Sequence, residues 1–415
     1  MNDIINAQDI LIPKDVDLFK WAVVACDQFN AQPDYWNELD KLVGDAPSTL
    51  RIIYPEVFLD CDTDKRIAAI NEKMAEYCSA GIFRTVKNSF ILVERDTKLV
   101  KGRAGLIMAV DLESYEYAPF SQTPVRATEK TLVERIPPRA KIREHASMEL
   151  PHIILLIDDE KKEIIEPLFE KRGELELLYS TPLNMNGGHI KGYRVENTEE
   201  IKSKIYALLA PERQKRKYGT ASNFLFAVGD GNHSLATAKA HWDKLKELLT
   251  PEEKRTHPAR FALVEVMNVH EESLVFDSIN RIITGAGQEF IDAMKNELSG
   301  SGKTEVLFEG KIQTVSVSAN SAKAITQITD FIDRYNADVS PINVEFVHGR
   351  EHLVSTCKQT GGIGLFMPVF DKSQLFGYIL KKGILPKKAF SMGEAEEKRY
   401  YLECHKIVRE VVDNG

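Results

Sequence analysis

The sequence predicts a protein of the α/β to α+β class. It has a mixed sheet core carrying a strand–Gly-rich loop–helix unit and a smaller C-terminal α+β region. Three observations predict it. Short apolar runs bounded by turn or charged residues recur along the chain and read as strands. Helical stretches alternate with them through the middle of the chain. Just past that middle, AVGDGNHSLA joins an apolar run to an Ala-rich helix through the hexad Gly229–Ser234.

Taken in order, residues 62–80 read as helix, and SFILVER (89–95) and GLIMAVDL (105–112) as strands. A polar, proline-marked segment follows. Pro137-Pro138 disfavours continuous helix there, which predicts a long loop with one helix on its far side. HIILLID (152–158) has the pattern of a buried strand, with a helix expected over 160–172. Gly187-Gly188 marks a tight turn before HIKGYRV. NFLFAV (223–228) is the strand entering the hexad, residues 235–249 are the helix leaving it, and the next strand is expected at 260–269. From about 285 to 340 the Ala- and Ser-rich stretches, with the alternation in KIQTVSVSA, point to a smaller α+β part. The C-terminal part alternates short strands and turns, then is expected to close with an amphipathic helix over 394–412. The resulting division is 1–125, 126–284 and 285–415, with soft boundaries.

At 415 residues the chain exceeds one simple core. Its net charge of −8 argues against a dedicated nucleic-acid binder, which needs clustered Lys and Arg to neutralise phosphates. The start, MNDIINAQDILIPKD, lacks a basic segment followed by a long apolar one, and no apolar run approaches the roughly 20 residues of a membrane span. The 5 cysteines (Cys26, Cys61, Cys78, Cys357 and Cys404) are scattered and form no CxxC, the pattern of reduced thiols. The expectation is therefore a cytoplasmic protein whose partner is a small molecule rather than nucleic acid or membrane. Oligomeric state stays open, with a homodimer as one option.

Four motifs invite a chemical reading. Ser301-Gly302-Lys303-Thr304 resembles the end of a phosphate-binding Walker loop, but Glu297 stands where the pattern needs glycine, and the helix-to-strand order is reversed. His348-Gly349-Arg350-Glu351-His352 matches the H-x-x-E-H pattern of zinc peptidases. INVEFV before it reads as strand and Gly349 weakens a helix, so a turn with exposed imidazoles is the better reading. Zinc hydrolysis through His348 and His352 is kept as an alternative. Gly231-Asn232-His233 matches one element of two-metal phosphoesterases, whose further metal-binding motifs the chain lacks.

The hexad itself reads as a phosphate cradle. A Gly-rich turn feeding a helix start aims unpaired N–H groups and the positive end of the helix dipole at one point. Gly229 and Gly231 allow close approach of a ligand, Asn232 or Ser234 caps the helix, and Ser234 donates to a phosphate oxygen. Asp230 is placed to hold Mg²⁺ or orient a hydroxyl, and His233 to act as acid, base or phosphate donor. A bland turn explains the glycines, asparagine and serine well. It explains Asp230 and His233 together less well.

At these residues the chain resembles the family known as domain of unknown function 1015, whose hallmark is a strand, then Asp-Gly-His-His-Arg, then an Ala-rich helix. Here the turn reads Asp230-Gly231-Asn232-His233-Ser234, with Ser234 in place of the arginine. The resemblance extends over nearly the whole chain. VVACDQFN matches an apolar run ending in Tyr-Asp, giving Asp27 with Cys26 in place of tyrosine. VRATEKT matches Arg-His-Glu-x-Thr, giving Arg126, Glu129 and Thr131. SLVFDSINRII gives Asn280-Arg281, and ILPKKAFSMGEAEEKRYY gives Lys388 and a displaced Ser391.

The turn is also similar to one in the partition-protein/sulfiredoxin-like superfamily, which includes free-serine kinases. That similarity, together with gene neighbourhoods of serine-biosynthesis enzymes, implies a phosphotransferase acting on a small hydroxylated metabolite such as serine or phosphoserine. Implied cofactors are Mg²⁺ and a nucleotide, ATP or ADP. Implied roles are Mg²⁺ binding by Asp230, proton acceptance by Glu129 and polarisation of the transferred group by His233. Phosphate binding falls to Gly229, Gly231, Asn232 and Ser234. Arg126, Arg281 or Lys388 would supply the missing cation. The alternative is a nucleotide- or amino-acid-binding regulatory protein without turnover.

Overall fold

A computed structural model describes residues 3–59, 63–130 and 136–409. The chain divides into two compact units, one of Met1–Leu274 with Glu394–Gly415, the other Val275–Gly393. Expected boundaries at 126 and 285 differ from this division, because residue 126 lies inside strand pairing of the first unit and the chain after Glu394 returns to it.

The first unit is built on a ten-stranded mixed sheet. Its strands in chain order are β1 (Ile5–Asn6), β2 (Phe90–Asp96), β3 (Arg103–Asp111), β4 (Tyr115–Glu116), β5 (Val125–Arg126), β6 (Ile154–Ile157), β7 (Leu177–Leu183), β8 (Gly188–Val195), β9 (Phe226–Asp230) and β10 (Phe261–Asn268). They lie in the order β7-β8-β2-β3-β10-β6-β9-β5-β4, with β1 added on β3. β10 pairs parallel with β6, β6 antiparallel with β9, and β9 parallel with β5. Every residue of β3 and β10 is buried, which is why RAGLIMAVD and FALVEVMN read as nearly continuous apolar runs instead of alternating. Helix α1 (Thr63–Ser79) alternates at helical spacing and buries Ile67, Ile70, Met74 and Tyr77.

Two expectations of the sequence are corrected here. Helix α2 (Ile136–Glu144) contains Pro137 and Pro138 rather than lying beyond them. Both sit in its first turn, where a missing N–H costs no intrahelical bond. The helix expected over 160–172 shrinks to Ile165–Glu170.

Helix α3 (Asn232–Lys246) follows β9 after the single residue Gly231. The expected six-residue loop is thus one residue long: the strand runs on to Asp230 and the helix starts at Asn232. Gly231 has φ +78, and a Cβ there would lie 3.0 Å from Ile153 Cα, so both the turn and the packing call for glycine.

Residues 394–409 contain no α-helix. Tyr400–Tyr401 pairs antiparallel with Val23–Val24, Leu11 and Cys404 exchange backbone hydrogen bonds of 2.8 Å, and His405–Lys406 pairs with Met148–Glu149. Trp21 Nε1 donates to Leu402 O at 3.1 Å. Pairing partners far off in sequence override the helical propensity of this Glu- and Lys-rich stretch. The remainder of the expected helix, 410–412, lies outside the described residues.

The second unit carries a five-stranded antiparallel sheet, formed by β11 (Ile279–Thr284), β12 (Gly302–Phe308), β13 (Lys311–Val317), β14 (Asn343–His348) and β15 (Ile363–Phe366) in the order β13-β12-β15-β11-β14. Helix α4 (Ser321–Arg334) is capped by Asn320, whose side chain accepts from Lys323 N. Helix α5 (Arg350–Thr360) packs Leu353 and Cys357 with Ile282, Leu307 and Val347. Lys303 and Thr304 lie within β12, so the Walker-like tetrapeptide is the start of a strand. No helix among the described residues is long and apolar enough to cross a membrane.

Candidate functional site

The register of β9 sets the site. It shifts between Ile154 and Leu155 of β6, which places Asp230, the last residue of β9, opposite Ile154. Asp230 Oδ1 accepts the Gly231 N–H at 2.9 Å, and Oδ2 accepts from Lys398 Nζ at 3.1 Å. Burial pushes the Asp230 carboxyl upward. The Lys398 charge and hydrogen bond, with smaller contributions from His152 and the Gly231 N–H, outweigh it and hold Asp230 below the usual carboxylate range. Gly231, at the N-cap of α3, has no side chain to cap the helix, and the N–H groups of the first turn and the positive end of the dipole lie one residue beyond this pair.

Behind Lys398 lies a buried ionic cluster. Arg399 Nη1 donates to Glu265 Oε2 at 2.8 Å, its Nη2 to Glu403, and Glu403 also accepts from the Tyr179 hydroxyl. Burial alone would disfavour the Arg399 charge, but Glu403 and Glu265 more than offset that and keep it protonated. Arg103 donates to Glu397 O at 3.0 Å; burial lowers its pKa, with Glu265, Glu397 and Asp230 opposing. Arg95 donates to Gly187 O and Lys398 O, and burial, then the neighbouring Arg103, push it down to about 9. Arg103 Nε and Arg399 Nε have no hydrogen-bond partner among the described residues.

On the other side of the turn, Ser234 Oγ is 2.9 Å from His152 Nε2, and His152 Nδ1 is 2.6 Å from the Tyr401 hydroxyl. The Tyr401 hydroxyl also lies 3.2 Å from Cys26 Sγ and accepts the Cys26 N–H at 3.2 Å. Asp27 Oδ2 stands 3.9 Å from His152 Nε2. Ser234, His152, Tyr401 and Cys26 line a cavity of about 170 Å³. Its walls include Ile52, Ile53, Met74, Met148 and Leu263, and the Arg143–Glu149 ion pair also lines it.

The residues singled out in the sequence fare differently. Asp27 and Ser234 come together at His152, while Asp230 pairs with Lys398 and only feels the His152 charge. Asn232 is buried and serves the loop after β5 instead of capping or binding: its Oδ1 accepts the Thr128 N–H at 3.2 Å, and its Nδ2 donates to Thr128 Oγ1 at 3.3 Å. Thr128 Oγ1 also donates to Val228 O, which ties Glu129, the next residue, to the side of the turn. Gly229 lies within β9, and His233 is the second residue of α3, half-buried. Thr131 lies outside the described residues.

Of the expected cations, Arg126 belongs to the first unit and Arg281 and Lys388 to the second. Arg126 pairs with Ala227, three residues before Asp230. Its guanidinium is spent on Thr123 O, on Asn223 Oδ1 and on the Phe224 ring 4.7 Å away. Arg281 is buried within the second unit, donating to Ile279 O, Thr329 Oγ1 and Lys387 O. Lys388 belongs to that same unit and has φ +56. The cation beside Asp230 is Lys398. Sequence reasoning missed it and His152, although both lie in stretches already singled out, EEKRYY and HIILLID.

Metal readings fit poorly. His348 ends β14 and His352 lies on α5, so they share no helix, and among the described residues no group of three or more His, Cys, Asp or Glu is placed to hold a metal ion. Magnesium is typically held by one or two carboxylates besides phosphate oxygens and water. Both Asp230 oxygens are already engaged, one by Lys398, so the residues present do not fit a resident Mg²⁺.

Fold and site define an α/β protein with a lysine–aspartate pair at a strand–glycine–helix turn. The chain belongs to the family described as protein of unknown function DUF1015, whose model matches residues 7–410. Comparison with curated proteins gave no match. Among solved structures it is similar to a conserved hypothetical protein from Pyrococcus furiosus, with 9% identity and a TM-score of 0.32, over 74% of this chain and 93% of that one. It is also similar to a variant of free serine kinase in complex with AMP, with 7% identity and a TM-score of 0.39, over 75% of this chain and 95% of that one. A free serine kinase variant in complex with ADP gives the same identity, score and coverage.

Proposed function

We propose that the first unit transfers a phosphoryl group between a nucleotide, ATP or ADP, and a small hydroxylated metabolite, with serine or phosphoserine as the first substrates to test. The observation that carries this reading is the ionised Asp230 paired with Lys398 at the uncapped start of α3. Phosphoryl transfer asks a protein mainly for positioning and charge neutralisation. The first-turn N–H groups of α3 and the Lys398 ammonium supply both.

In the transfer, the acceptor hydroxyl oxygen attacks phosphorus, the bond from phosphorus to the leaving oxygen breaks, and the hydroxyl proton passes to a carboxylate. Glu129 is the proposed acceptor of that proton, held beside the turn by its neighbour Thr128. Asp230 keeps Lys398 aimed at the transferred group. His233 polarises that group from the second position of the helix. No step is routed through a resident metal.

The test follows labelled phosphate between ATP and serine, and between phosphoserine and ADP, in the wild type, Asp230→Asn and Glu129→Gln. Each variant is expected to lose about 100-fold or more, the usual contribution of a general base or a charged transition-state contact. Full activity in Asp230→Asn overturns the site. Tight nucleotide binding without any transfer in the wild type replaces the reading with a ligand-responsive regulatory protein.

A further inference from the structure

The Ser234–His152–Tyr401 chain has a polarity of its own. Burial, with Cys26 and Asp27, keeps the Tyr401 hydroxyl protonated. Its single proton is directed at Cys26 Sγ, while its oxygen already accepts the Cys26 N–H. The tautomer with the imidazole proton on Nδ1 matches that arrangement, with the remaining Tyr401 lone pair accepting from it at 2.6 Å. Nε2 is then a free acceptor facing the Ser234 hydroxyl at 2.9 Å. A hydroxyl, a base and a third group that orients the base are the parts by which a serine becomes a nucleophile. Asp27 Oδ2, 3.9 Å from Nε2, stabilises the imidazolium that forms when the base takes its proton. Ser234 is the third residue of α3, where the helix dipole favours negative charge developing on a nearby oxygen.

We propose that Ser234 and His152 are a nucleophile–base pair that accepts the acyl group of a small apolar carboxylic ester. The cavity sets the class of substrate: about 170 Å³, lined by Ile52, Ile53, Met74, Met148 and Leu263 together with Ser234. An apolar space of roughly 150 Å³ holds a benzene ring, so acyl groups from acetyl to benzoyl fit. Ser234 Oγ bonds to the carbonyl carbon, the ester C–O bond breaks, and His152 passes the serine proton to the departing alcohol oxygen. Water, deprotonated by His152, then cleaves the acyl-serine and returns the free hydroxyl and a carboxylic acid. Tyr401 is a positioning residue. The reaction needs no nucleotide, which separates it from phosphoryl transfer.

The test uses the full chain without nucleotide, a fluorophosphonate probe, and the 4-nitrophenyl esters of acetate, butyrate and benzoate. One probe adduct is expected, mapped by peptide mass spectrometry to Ser234. Ester turnover should fall about 100-fold or more in Ser234→Ala and in His152→Asn, the usual size of a nucleophile or general-base loss. Ser234→Ala removes one hydroxyl from a half-buried position, and tryptophan fluorescence confirms that it is folded. Tyr401→Phe should lower kcat at unchanged KM. A folded wild type that gives no adduct, an adduct on another residue, or undiminished turnover in folded Ser234→Ala overturns the inference. An adduct at Ser234 without any phosphoryl transfer supports it and overturns only the phosphotransferase reading.

Discussion

Replacing Lys398 with methionine removes the cation from Asp230 while keeping the bulk of the stem. The side chains of Lys398 and Asp230 are 12% and 26% exposed, so solvent screens the pair only partly. Asp230 keeps the Gly231 N–H alone, and a hydrogen bond to a charged group contributes ~1.5–3 kcal/mol. A loss of about 2 kcal/mol at pH 7 is therefore expected. All 3 tryptophans, Trp21, Trp36 and Trp242, are buried in the first unit, so urea unfolding followed by tryptophan fluorescence reports that unit alone. The folded state holds the Asp230 pKa below its unfolded value. Its contribution is therefore full above about pH 4 and lost as pH falls through the folded pKa. The gap between wild type and Lys398→Met should close over that acid range. Combining Lys398→Met with Asp230→Asn should show strong coupling. A coupling energy below about 0.5 kcal/mol, or a gap that persists in acid, would refute the assignment of Lys398 as the partner of Asp230.

Two further outcomes follow from packing and protonation. A Cβ at Gly105 would sit 2.0 Å from Glu265 Oε1 and 2.7 Å from its Cδ, against a buried side chain fixed by Arg399, so Gly105→Ala should destabilise by ~1–3 kcal/mol. A urea midpoint equal to that of wild type would contradict this. Burial, then the Arg143 charge, push His241 down to about 4. Unfolded histidine takes its proton near 6.5. Between those values the unfolded chain binds more protons, so stability should decline as pH drops from about 6.5 towards 4. His241→Gln should make that decline shallower in urea titrations at successive pH values.

What the sequence makes legible here is local. The run from Phe226 and the Ala-rich stretch after Ser234 announce strand and helix because their patterns are complete within a few residues. The resemblance marks Asp27 and Ser234, which meet at His152, and Asp230, which meets Lys398. Arg126 and Arg281 have the right chemistry for an anion, yet their guanidiniums bind carbonyl and side-chain oxygens of their own surroundings, and no local pattern distinguishes the two uses. The last segment misleads for a related reason. Its Glu- and Lys-rich composition favours helix, while its strand partners, Val23–Val24 and Met148–Glu149, lie hundreds of residues upstream. Lys398 stays hidden among many surface-like lysines until the fold places it 3.1 Å from a residue 168 positions away.

That separation bears on how the protein is made. During synthesis the start of α3 emerges long before the lysine that faces it, and the whole of Val275–Gly393 is translated in between. The tyrosine that orients His152 arrives just after the lysine. A nascent chain therefore carries Asp230 without Lys398 until the residues around Tyr400–Tyr401 are made and pair with Val23–Val24. The ion pair at this turn thus joins two residues that 168 positions of sequence keep apart during synthesis, and it forms only after Lys398 has been made.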